Sequence, residues 1–491
     1  MTKQVSNTSK VIKGMSSQTL VTIILGVVEV LSFSIMSRLL TKEDFGYYAA
    51  ISAITAVFAT FAETGIGSAV VQQKEITSRF VNNAFTISFL FGSFISLLLF
   101  LLSGPLAKSV ADKSMQVPLM LISGTLLLHC LTSVNNSIMH RKLQFLRMGM
   151  INLFSLVITT IVAVWLAYLG YGFYAIIAKS VMGAVLTYLL SLYFCHTRFG
   201  FALDKETFKR IFSFSGWLMA SSLFRNLAHQ VDKLLMPRLL SVSALGAYNR
   251  PKNFVEHIST RLNSIFDSAL FPVLSGIRDN RATLNSAYRR SLYLMNMFAS
   301  LLTMMLMFNS GLLIRVFFGE QWLGLKTVLF VIASSLLFNV DGRLSDCYLR
   351  SLAMTKQQFY FRIFETVLKT IGVLIGFSWG ILGVAISIVF TNFISKFIKI
   401  IYIGQKVDVS LLQTVVIILS SWRYMLLFLP ICVMSYILLP NTWGGNIAMT
   451  CISLLATIVV FLFMPDFVGK RYKNEVYGKV IAFIKHKTHI K

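Results

Sequence analysis

Apolar runs of about 20 residues recur along the whole chain, separated by short polar stretches. A helix of about 20 apolar residues crosses the roughly 30 Å hydrocarbon core of a bilayer, so each run predicts one transmembrane helix. Only 13% of the residues are charged, against about 25% in soluble domains, which excludes a water-soluble globular fold. We therefore predict an all-α polytopic membrane protein with about 14 transmembrane helices, at 15–38, 47–68, 84–106, 117–139, 149–169, 174–195, 214–237, 253–275, 293–314, 327–349, 361–378, 381–402, 424–440 and 446–465.

The charge is strongly basic, with 45 Lys and Arg against 19 Asp and Glu and a formal net charge of +26. In so apolar a chain this excess indicates cytoplasmic loops rather than nucleic-acid binding, because membrane proteins keep Lys and Arg on the inner side. Basic residues collect in alternate loops if both termini are cytoplasmic, and we predict that orientation. The inner set in this count includes Arg362, Lys396 and Lys399, and the outer set includes Arg250, Lys252 and Arg315.

The two ends of the chain have separate predictions. The first apolar run contains an acidic residue and no small-residue cleavage site, so we expect it to be retained as a span rather than removed as a signal peptide. The basic segment 470–491 is amphipathic, which favours a position on the membrane surface.

An internal repeat appears at an offset of 200 residues. Residues 36–41 (MSRLLT) are similar to 236–241 (MPRLLS), and Gly46 corresponds to Gly246 in the same register. A slightly longer offset aligns Gly172 with Gly380. Six predicted spans separate the copies, so the repeat predicts two parallel six-helix lobes with an aqueous cavity between them. We assign 1–200 to the first lobe, 201–405 to the second, and 406–491 to two additional spans and a basic cytoplasmic tail.

The motifs of ATP-driven and hydrolytic enzymes are absent from the sequence. There is no Walker A element, no His-Glu-x-x-His and no Gly-x-Ser-x-Gly, and no predicted loop is long enough to build a transferase site. The five cysteines form no metal-binding spacing with one another or with histidine. We therefore predict a carrier rather than an enzyme, with no catalytic residue, no cofactor and no bound metal.

Charged residues remain inside several predicted spans, where each costs about 2.5 to 3.5 kcal/mol at a helix centre on insertion scales. Arg225, His229 and Asp232 recur at helical spacing on the span 214–237, and Arg343 belongs to a similar polar stripe on 327–349. The span 253–275 carries two adjacent polar stripes, to which Arg261 and Asp267 belong. These stripes predict faces that line an aqueous cavity.

The charged residues of the spans do not determine whether the substrate is an anion or a cation. Arg225, Arg261 and Arg343, with His229 beside them, are candidates for binding an anionic substrate, since guanidinium groups bind phosphate with two hydrogen bonds. The same arginines can instead form internal salt bridges. Glu29, Asp232 and Asp267 are candidates for binding a coupling cation, while Glu365 and Lys369, four residues apart, predict a structural pair within one helix.

Five short motifs follow one another in order: RLLTKEDFGYY at 38–48, FAETGIGSAVVQ at 61–72, DKLLMPRLL at 232–240, LFPVLS at 270–275 and FGEQW at 318–322. Their order and spacing resemble those of Wzx-type lipid-linked oligosaccharide flippases. The likeness covers nearly the whole chain and is strongest to the lipopolysaccharide and colanic-acid exporter branch of the multidrug/oligosaccharidyl-lipid/polysaccharide superfamily.

The resemblance implies a V-shaped fold of two six-helix lobes plus two C-terminal helices. It also implies that an undecaprenyl-diphosphate-linked oligosaccharide crosses the bacterial inner membrane by alternating access for the assembly of O-antigen, capsule or exopolysaccharide. A polysaccharide polymerase and chain-length proteins are the partners that it suggests. In the family, basic residues meet the diphosphate and glycan, a role that we transfer only to Arg225, Arg261 and Arg343. The alternative is a cation-coupled multidrug antiporter of the same superfamily.

Overall fold

The computed structural model describes residues 24–62, 77–142, 144–195, 200–202, 204–277, 280–352 and 354–438, with Val21 and short stretches of 442–455. For some helical residues, among them 205–221 and 261–269, only the backbone is described. All regular structure in these ranges is helical. The helices are α1 (24–39), α2 (Lys42–Ala62), α3 (Ser78–Val110), α4 (Gln116–Arg141), α5 (Phe145–Tyr168), α6 (Phe173–Cys195), α7 (Lys205–Leu239), α8 (Val242–Ile277), α9 (Arg281–Phe308), α10 (Ser310–Phe317), α11 (Lys326–Ser351), α12 (Thr355–Gly376), α13 (Gly380–Lys406) and α14 (Leu411–Leu438).

The chain is a polytopic all-α membrane protein. Seven helical segments of the described residues are long and apolar enough to cross a membrane, the last of them, Lys356–Lys406, covering two consecutive helices. Large apolar side chains such as Leu101, Ile161 and Leu412 point away from the protein interior, as expected for a surface in contact with lipid. Each of the first thirteen predicted spans overlaps a helix, while the fourteenth falls mostly outside the described residues, so the total of fourteen stays a prediction.

Local sequence signals explain where the helices begin. Thr77 precedes α3, and its hydroxyl accepts a hydrogen bond from the Phe80 amide at 3.2 Å. Before α2, the Thr41 amide donates to Asp44 at 2.9 Å and the Asp44 amide donates to the Thr41 hydroxyl at 3.2 Å. These caps satisfy backbone amides that have no partner within the helix.

Structural details agree with the repeat. Helices α2 and α8 begin at Lys42 and Val242, 200 residues apart. Gly172 and Gly380, aligned by the sequence, both have positive φ angles, of 55° and 68°, at the turns that lead into α6 and α13. A left-handed backbone conformation of this kind favours glycine because it has no Cβ.

Gly46 and Gly246 meet face to face where α2 crosses α8. A Cβ at Gly46 would overlap the carbonyl oxygen of Val242, and a Cβ at Gly246 would overlap the carbonyl oxygen of Lys42. Each contact becomes the other when 200 is added to or subtracted from the residue numbers. Reciprocal contacts of this kind are what a two-fold axis requires, so this crossing lies on the pseudo-two-fold axis of the repeat.

We expect Gly46→Ala to lower the thermal stability of the purified protein, because a methyl group there forces the two backbones apart. Overpacking of a tight contact costs about 1 to 3 kcal/mol. Gly124→Ala is the matched control, since a Cβ at that helical glycine meets no atom within 4 Å. Thermal unfolding in detergent checks the difference, and equal melting temperatures for the two variants would contradict the close crossing.

The helices pack as two groups joined mainly through α2. In the first, α3 packs on α4, and α6 packs on both α4 and α5. The second contains α7 to α14, with α13 packed against α11 and α12, and α9 against α11 and α14. Helix α2 contacts α7 and α8 extensively. We call α1 to α6 the first lobe and α7 to α14 the second lobe; the boundaries at residues 200 and 405 stay a prediction.

Among the described residues, the charged side chains that are fully buried belong to the second lobe. Every charged residue that is buried among the described side chains lies between residues 232 and 399: Asp232, Lys233, Arg250, Lys252, Arg315, Asp346, Arg362, Glu365, Lys396 and Lys399. Buried polar residues of the first lobe, such as Asn83, Thr125 and Ser191, are uncharged. The two lobes are therefore similar in backbone but different in electrostatic character.

Candidate functional site: a charged cavity in the second lobe

A cavity of about 370 Å³ lies among α7, α8, α11, α12 and α13. The polar stripe of α7 turns Arg225, His229 and Asp232 toward it, and α11 contributes Asn339, Arg343 and Asp346. Both stripes were predicted from helical spacing, and both line the same space. Every described residue of the lining belongs to the second lobe, whereas the repeat predicts a cavity between the lobes.

Among the described residues of the cavity lining, positive side chains outnumber negative ones. The cations are Arg225, Lys252, Arg343, Arg362, Lys369 and Lys396, and the acids are Asp232, Glu256 and Asp346. The side chains of Arg225, His229 and Arg343 are exposed to the cavity. An excess of cations with exposed guanidinium groups can bind a phosphate or a carboxylate.

Asp232 is neutralised by residues of α8. Its carboxylate forms an ion pair with Lys252 and accepts a hydrogen bond from the Tyr248 hydroxyl at 2.8 Å. The Lys252 ammonium also lies 3.7 Å from Glu256, one helical turn further on. Because Asp232 already has a cation and a hydroxyl group as partners, it fixes α7 against α8 at the cavity wall.

Five charged side chains form a buried cluster at another wall of the cavity. Arg362 forms an ion pair with Asp346, and its other terminal nitrogen lies 2.8 Å from Glu365. Lys399 lies 3.1 Å from each of the two carboxylates, and Lys396 contacts Glu365. The three cations exceed the two anions by one positive charge. We call these five residues the charge cluster.

The charge cluster joins three helices. Asp346 lies on α11, Arg362 and Glu365 lie on α12, and the two lysines lie on α13. Lys399 is fully buried and Glu365 is 1% exposed, whereas Arg362 and Lys396 reach the cavity lining. The buried members therefore hold the cavity-lining cations in place.

The structure brings together some of the residues predicted for the site. Arg225, His229, Arg343 and Asp232 line one cavity. Arg261 and Asp267 belong to α8, but their side chains lie outside the part of the chain that is described. Glu29 lies on α1 in the first lobe and is not part of the cavity lining. The roles predicted for all seven residues stay predictions.

The assignment of six basic residues to loops was wrong. Arg362, Lys396 and Lys399 were counted with the inner loops, and Arg250, Lys252 and Arg315 with the outer side, but all six are buried within helices. The signal that could have identified the cluster is spacing, because residues 362 and 365, like 396 and 399, are three apart and share a helix face. Removing all six from the count leaves the excess of basic residues on the predicted inner side.

The predicted pair between Glu365 and Lys369 was also wrong. Within the described residues, Glu365 is paired with Arg362, Lys396 and Lys399, and no ion pair with Lys369 is present. Lys369 donates a hydrogen bond to the Ala228 carbonyl oxygen on α7 at 3.3 Å. The tertiary partners displaced the local one, since two lysines of α13 face Glu365 directly.

A polytopic helical protein with a cation-rich cavity inside one lobe has the architecture of a membrane transporter. The family described as polysaccharide biosynthesis protein matches residues 35–327, which is more than half of the chain. The chain therefore belongs to that family. This agrees with the resemblance found in the sequence motifs.

Curated relatives match most of the chain at low identity. The lipopolysaccharide biosynthesis protein WzxC of Escherichia coli (strain K12) is 24% identical over 435 residues, covering 87% of each protein. The succinoglycan biosynthesis transport protein ExoT of Rhizobium meliloti (strain 1021) is 25% identical over 68% of each protein. The names of these relatives describe polysaccharide biosynthesis and transport.

Solved structures share the fold. The lipid II flippase MurJ, in an inward closed conformation, superposes with a TM-score of 0.70 at 14% identity, covering 94% of this chain and 99% of that one. An inward-facing multidrug resistance transporter of the MATE family gives a TM-score of 0.65 at 13% identity, covering 78% and 94%. At such low identity these likenesses establish the fold alone.

Proposed function

We propose that the protein moves an undecaprenyl-diphosphate-linked oligosaccharide across the bacterial inner membrane for the assembly of a surface polysaccharide. The basic residues of alternate loops favour a topology with both termini in the cytoplasm. The observation that carries the proposal is the cation-rich cavity inside a membrane-embedded lobe. Membership of the polysaccharide biosynthesis family and the names of the curated relatives support the substrate class.

The cavity provides an anionic head group with positive counter-charges, which the hydrocarbon core of the bilayer lacks. A charged group at the bilayer centre is costly unless counter-charges or water accompany it. Arg225 and Arg343 are exposed to the cavity, and the planar guanidinium group can donate two parallel hydrogen bonds to a phosphate. Lys369, half-buried in the same cavity lining, adds a further positive charge. These residues would stabilise the diphosphate during its passage.

Alternating access is the mechanism that we propose for the passage. The polar head would enter between the lobes and bind to the cations of the second lobe, while the prenyl chain remains in lipid. At about 370 Å³ the cavity lies within the roughly 300 to 1,000 Å³ of ordinary ligand sites. It is suited to the charged head group rather than to a long glycan, which would extend into the space between the lobes.

The alternative, a cation-coupled drug antiporter, needs a carboxylate that is free to bind a coupling cation. Asp232 is already paired with Lys252 and Tyr248, and Asp346 is paired with Arg362 and Lys399. A cation would have to displace these partners. Of the three coupling candidates Glu29, Asp232 and Asp267, Asp232 is thus already occupied, and its pairing favours the anionic substrate.

Transport by purified protein in liposomes tests the proposal. We expect a short-chain polyprenyl-diphosphate oligosaccharide, loaded in one leaflet, to reach the other leaflet without ATP, as measured by its exposure to an impermeant glycosidase. The same glycolipid with a monophosphate should cross more slowly, because it loses one phosphate contact. Equal rates for both lipids, or movement of cationic drugs in their place, would contradict the proposed substrate.

A further inference from the structure

Arg250 reaches from the second lobe into an aromatic cage of the first lobe. Its guanidinium carbon lies 3.6 Å from the centre of the Phe33 ring and 3.8 Å from that of Phe45. Its Nε donates a hydrogen bond to the Ser37 hydroxyl at 3.0 Å, and one Nη donates to the Phe33 carbonyl oxygen at 2.8 Å. Arg250 is 8% exposed. A single side chain thus makes cation–π contacts and hydrogen bonds across the interface between the lobes.

Further contacts between the lobes converge on the same residues. The Ser37 carbonyl oxygen accepts hydrogen bonds from the Trp322 indole at 2.8 Å and from the Gln321 amide at 2.7 Å. Ser37 lies in the last turn of α1, where carbonyl groups have no partner within the helix, so the second lobe satisfies one of them. The Phe33 ring meets Phe318 edge to face, with 5.1 Å between ring centres.

These contacts close one end of the molecule. They lie beside the turns near residues 40 and 240 and about one helical turn from the crossing of Gly46 and Gly246. The loop charges predict that this end faces the outside. If the lobes separate there, the bonds of Arg250 to Phe33, Phe45 and Ser37 are lost together.

The chemistry of the cage suits a contact that must form and break repeatedly. Among the described residues, no carboxylate forms an ion pair with Arg250. Separation of a buried ion pair would leave an acid stranded in the opposite lobe, which is strongly unfavourable. Separation of Arg250 from two aromatic rings and a hydroxyl leaves no unpaired charge in the first lobe. The cage therefore supplies specific but reversible attraction.

The Arg250 contact has no equivalent at the position that the repeat relates to Arg250. The offset of 200 that relates Gly46 to Gly246 places Ala50 opposite Arg250, and Ala50 is fully buried. The repeat has thus kept the symmetric backbone crossing but carries the cation on one side only. Loss of the Arg250 side chain removes its cation–π contacts and its hydrogen bonds together, while the contacts of Trp322 and Gln321 with Ser37 remain.

We propose that Arg250 is a conformational latch that holds the lobes together at the 40/240 end and is released each time that end opens. The inference rests on the alternating-access mechanism proposed above but not on the identity of the substrate. It assigns to Arg250 the control of the equilibrium between closed and open forms at this end.

Distance measurements between spin labels test the latch directly. Lys113 of the first lobe is exposed, and a side chain at Gly324 of the second lobe meets no atom within 4 Å, so both positions can carry labels at this end. Cys451→Ser removes the exposed cysteine, while Cys130, Cys195, Cys347 and Cys432 are buried. We expect one short distance in the otherwise native protein in liposomes. Arg250→Ala should raise the ratio of long to short distances about tenfold, which corresponds to about 1.4 kcal/mol.

Companion variants separate a latch from a general structural role. Arg250→Lys should give a smaller shift, because the ammonium group keeps the cation–π contact but loses the forked hydrogen bonds. Ser37→Ala should shift the distances in the same direction. The double variant Arg250→Ala with Ser37→Ala should shift the distances by less than the sum of the two single effects, since the two residues share one contact.

Arg238→Ala is the matched control, because Arg238 is an exposed cation at the same end of the second lobe. A distance distribution for Arg250→Ala that matches the native protein, or an equal shift in Arg238→Ala, would overturn the latch. If Arg250→Ala does not fold, unchanged distances in both Arg250→Lys and Ser37→Ala would also overturn the latch. None of these measurements needs the substrate, so failure of the transport assay leaves this test intact.

Discussion

Replacement of Glu365 by alanine is expected to cause a large loss of stability. Glu365 is 1% exposed and neutralises Arg362, Lys396 and Lys399. Without it, three buried cations would share Asp346 alone. Removal of one partner from a buried ion pair costs about 3 to 5 kcal/mol, because it leaves uncompensated charge in a low-dielectric interior. We expect little Glu365→Ala protein in the membrane and a sharply lower melting temperature in detergent.

Two further variants identify the cause of that loss. Glu43→Ala removes an exposed acid from the first turn of α2, and no ion pair of Glu43 is present among the described residues, so we expect a small effect. Adding Lys396→Met to Glu365→Ala should recover part of the lost abundance, because it removes one of the unpaired cations while keeping apolar bulk. Equal abundance for Glu365→Ala and Glu43→Ala, or no recovery in the double variant, would show that the charge cluster does not stabilise the second lobe.

The sequence contained most of the information on the helices. Long apolar runs must be helical in a bilayer, where each backbone polar group needs a partner within its own segment. The helices found at Ser78–Val110 and Phe145–Tyr168 therefore follow from hydropathy. The repeat was visible because Gly46 and Gly246 cannot change without a clash at the crossing.

The site was only partly predictable. Arg225, His229 and Asp232 were identified because a polar stripe on an otherwise apolar helix has one physical explanation, an aqueous or paired environment. Arg362 and Lys396 were misplaced because a hydropathy window averages a charge near the end of a span with its loop. Their partners come from different helices, and Asp346 meets Lys399 only after α11 packs on α13. No spacing within one helix records that contact.

The same limit applies to Arg250, which was counted as a loop charge. Its partners Phe33 and Phe45 are more than 200 residues away in the chain and look like ordinary apolar residues of two spans. The sequence does not distinguish a phenylalanine whose ring contacts a cation from one that packs in an apolar core. Only the packing of α8 against the first lobe brings these residues together.

Joint replacement of Arg225 and Arg343 by alanine is expected to cause the largest loss of transport. Both side chains are exposed to the cavity, on α7 and α11 respectively. If each donates charge-assisted hydrogen bonds to the diphosphate, each is worth about 1.5 to 3 kcal/mol, or about a ten- to hundredfold reduction in transport. The double variant should retain little export while the protein still inserts, because neither residue belongs to the charge cluster.

Surface glycan normalised to membrane protein level is the measurement that distinguishes substrate binding from a structural role. Arg343→Lys should restore only part of the export lost in Arg343→Ala, since lysine keeps the charge but not the planar pair of donors. Arg289→Ala, which removes an exposed arginine of α9 outside the cavity, should leave export unchanged. If the two cavity arginines only balanced internal acids, their loss would lower protein abundance and leave export per molecule normal. That outcome would remove them from the substrate-binding site, whereas low export at normal abundance would place the anionic head group between α7 and α11.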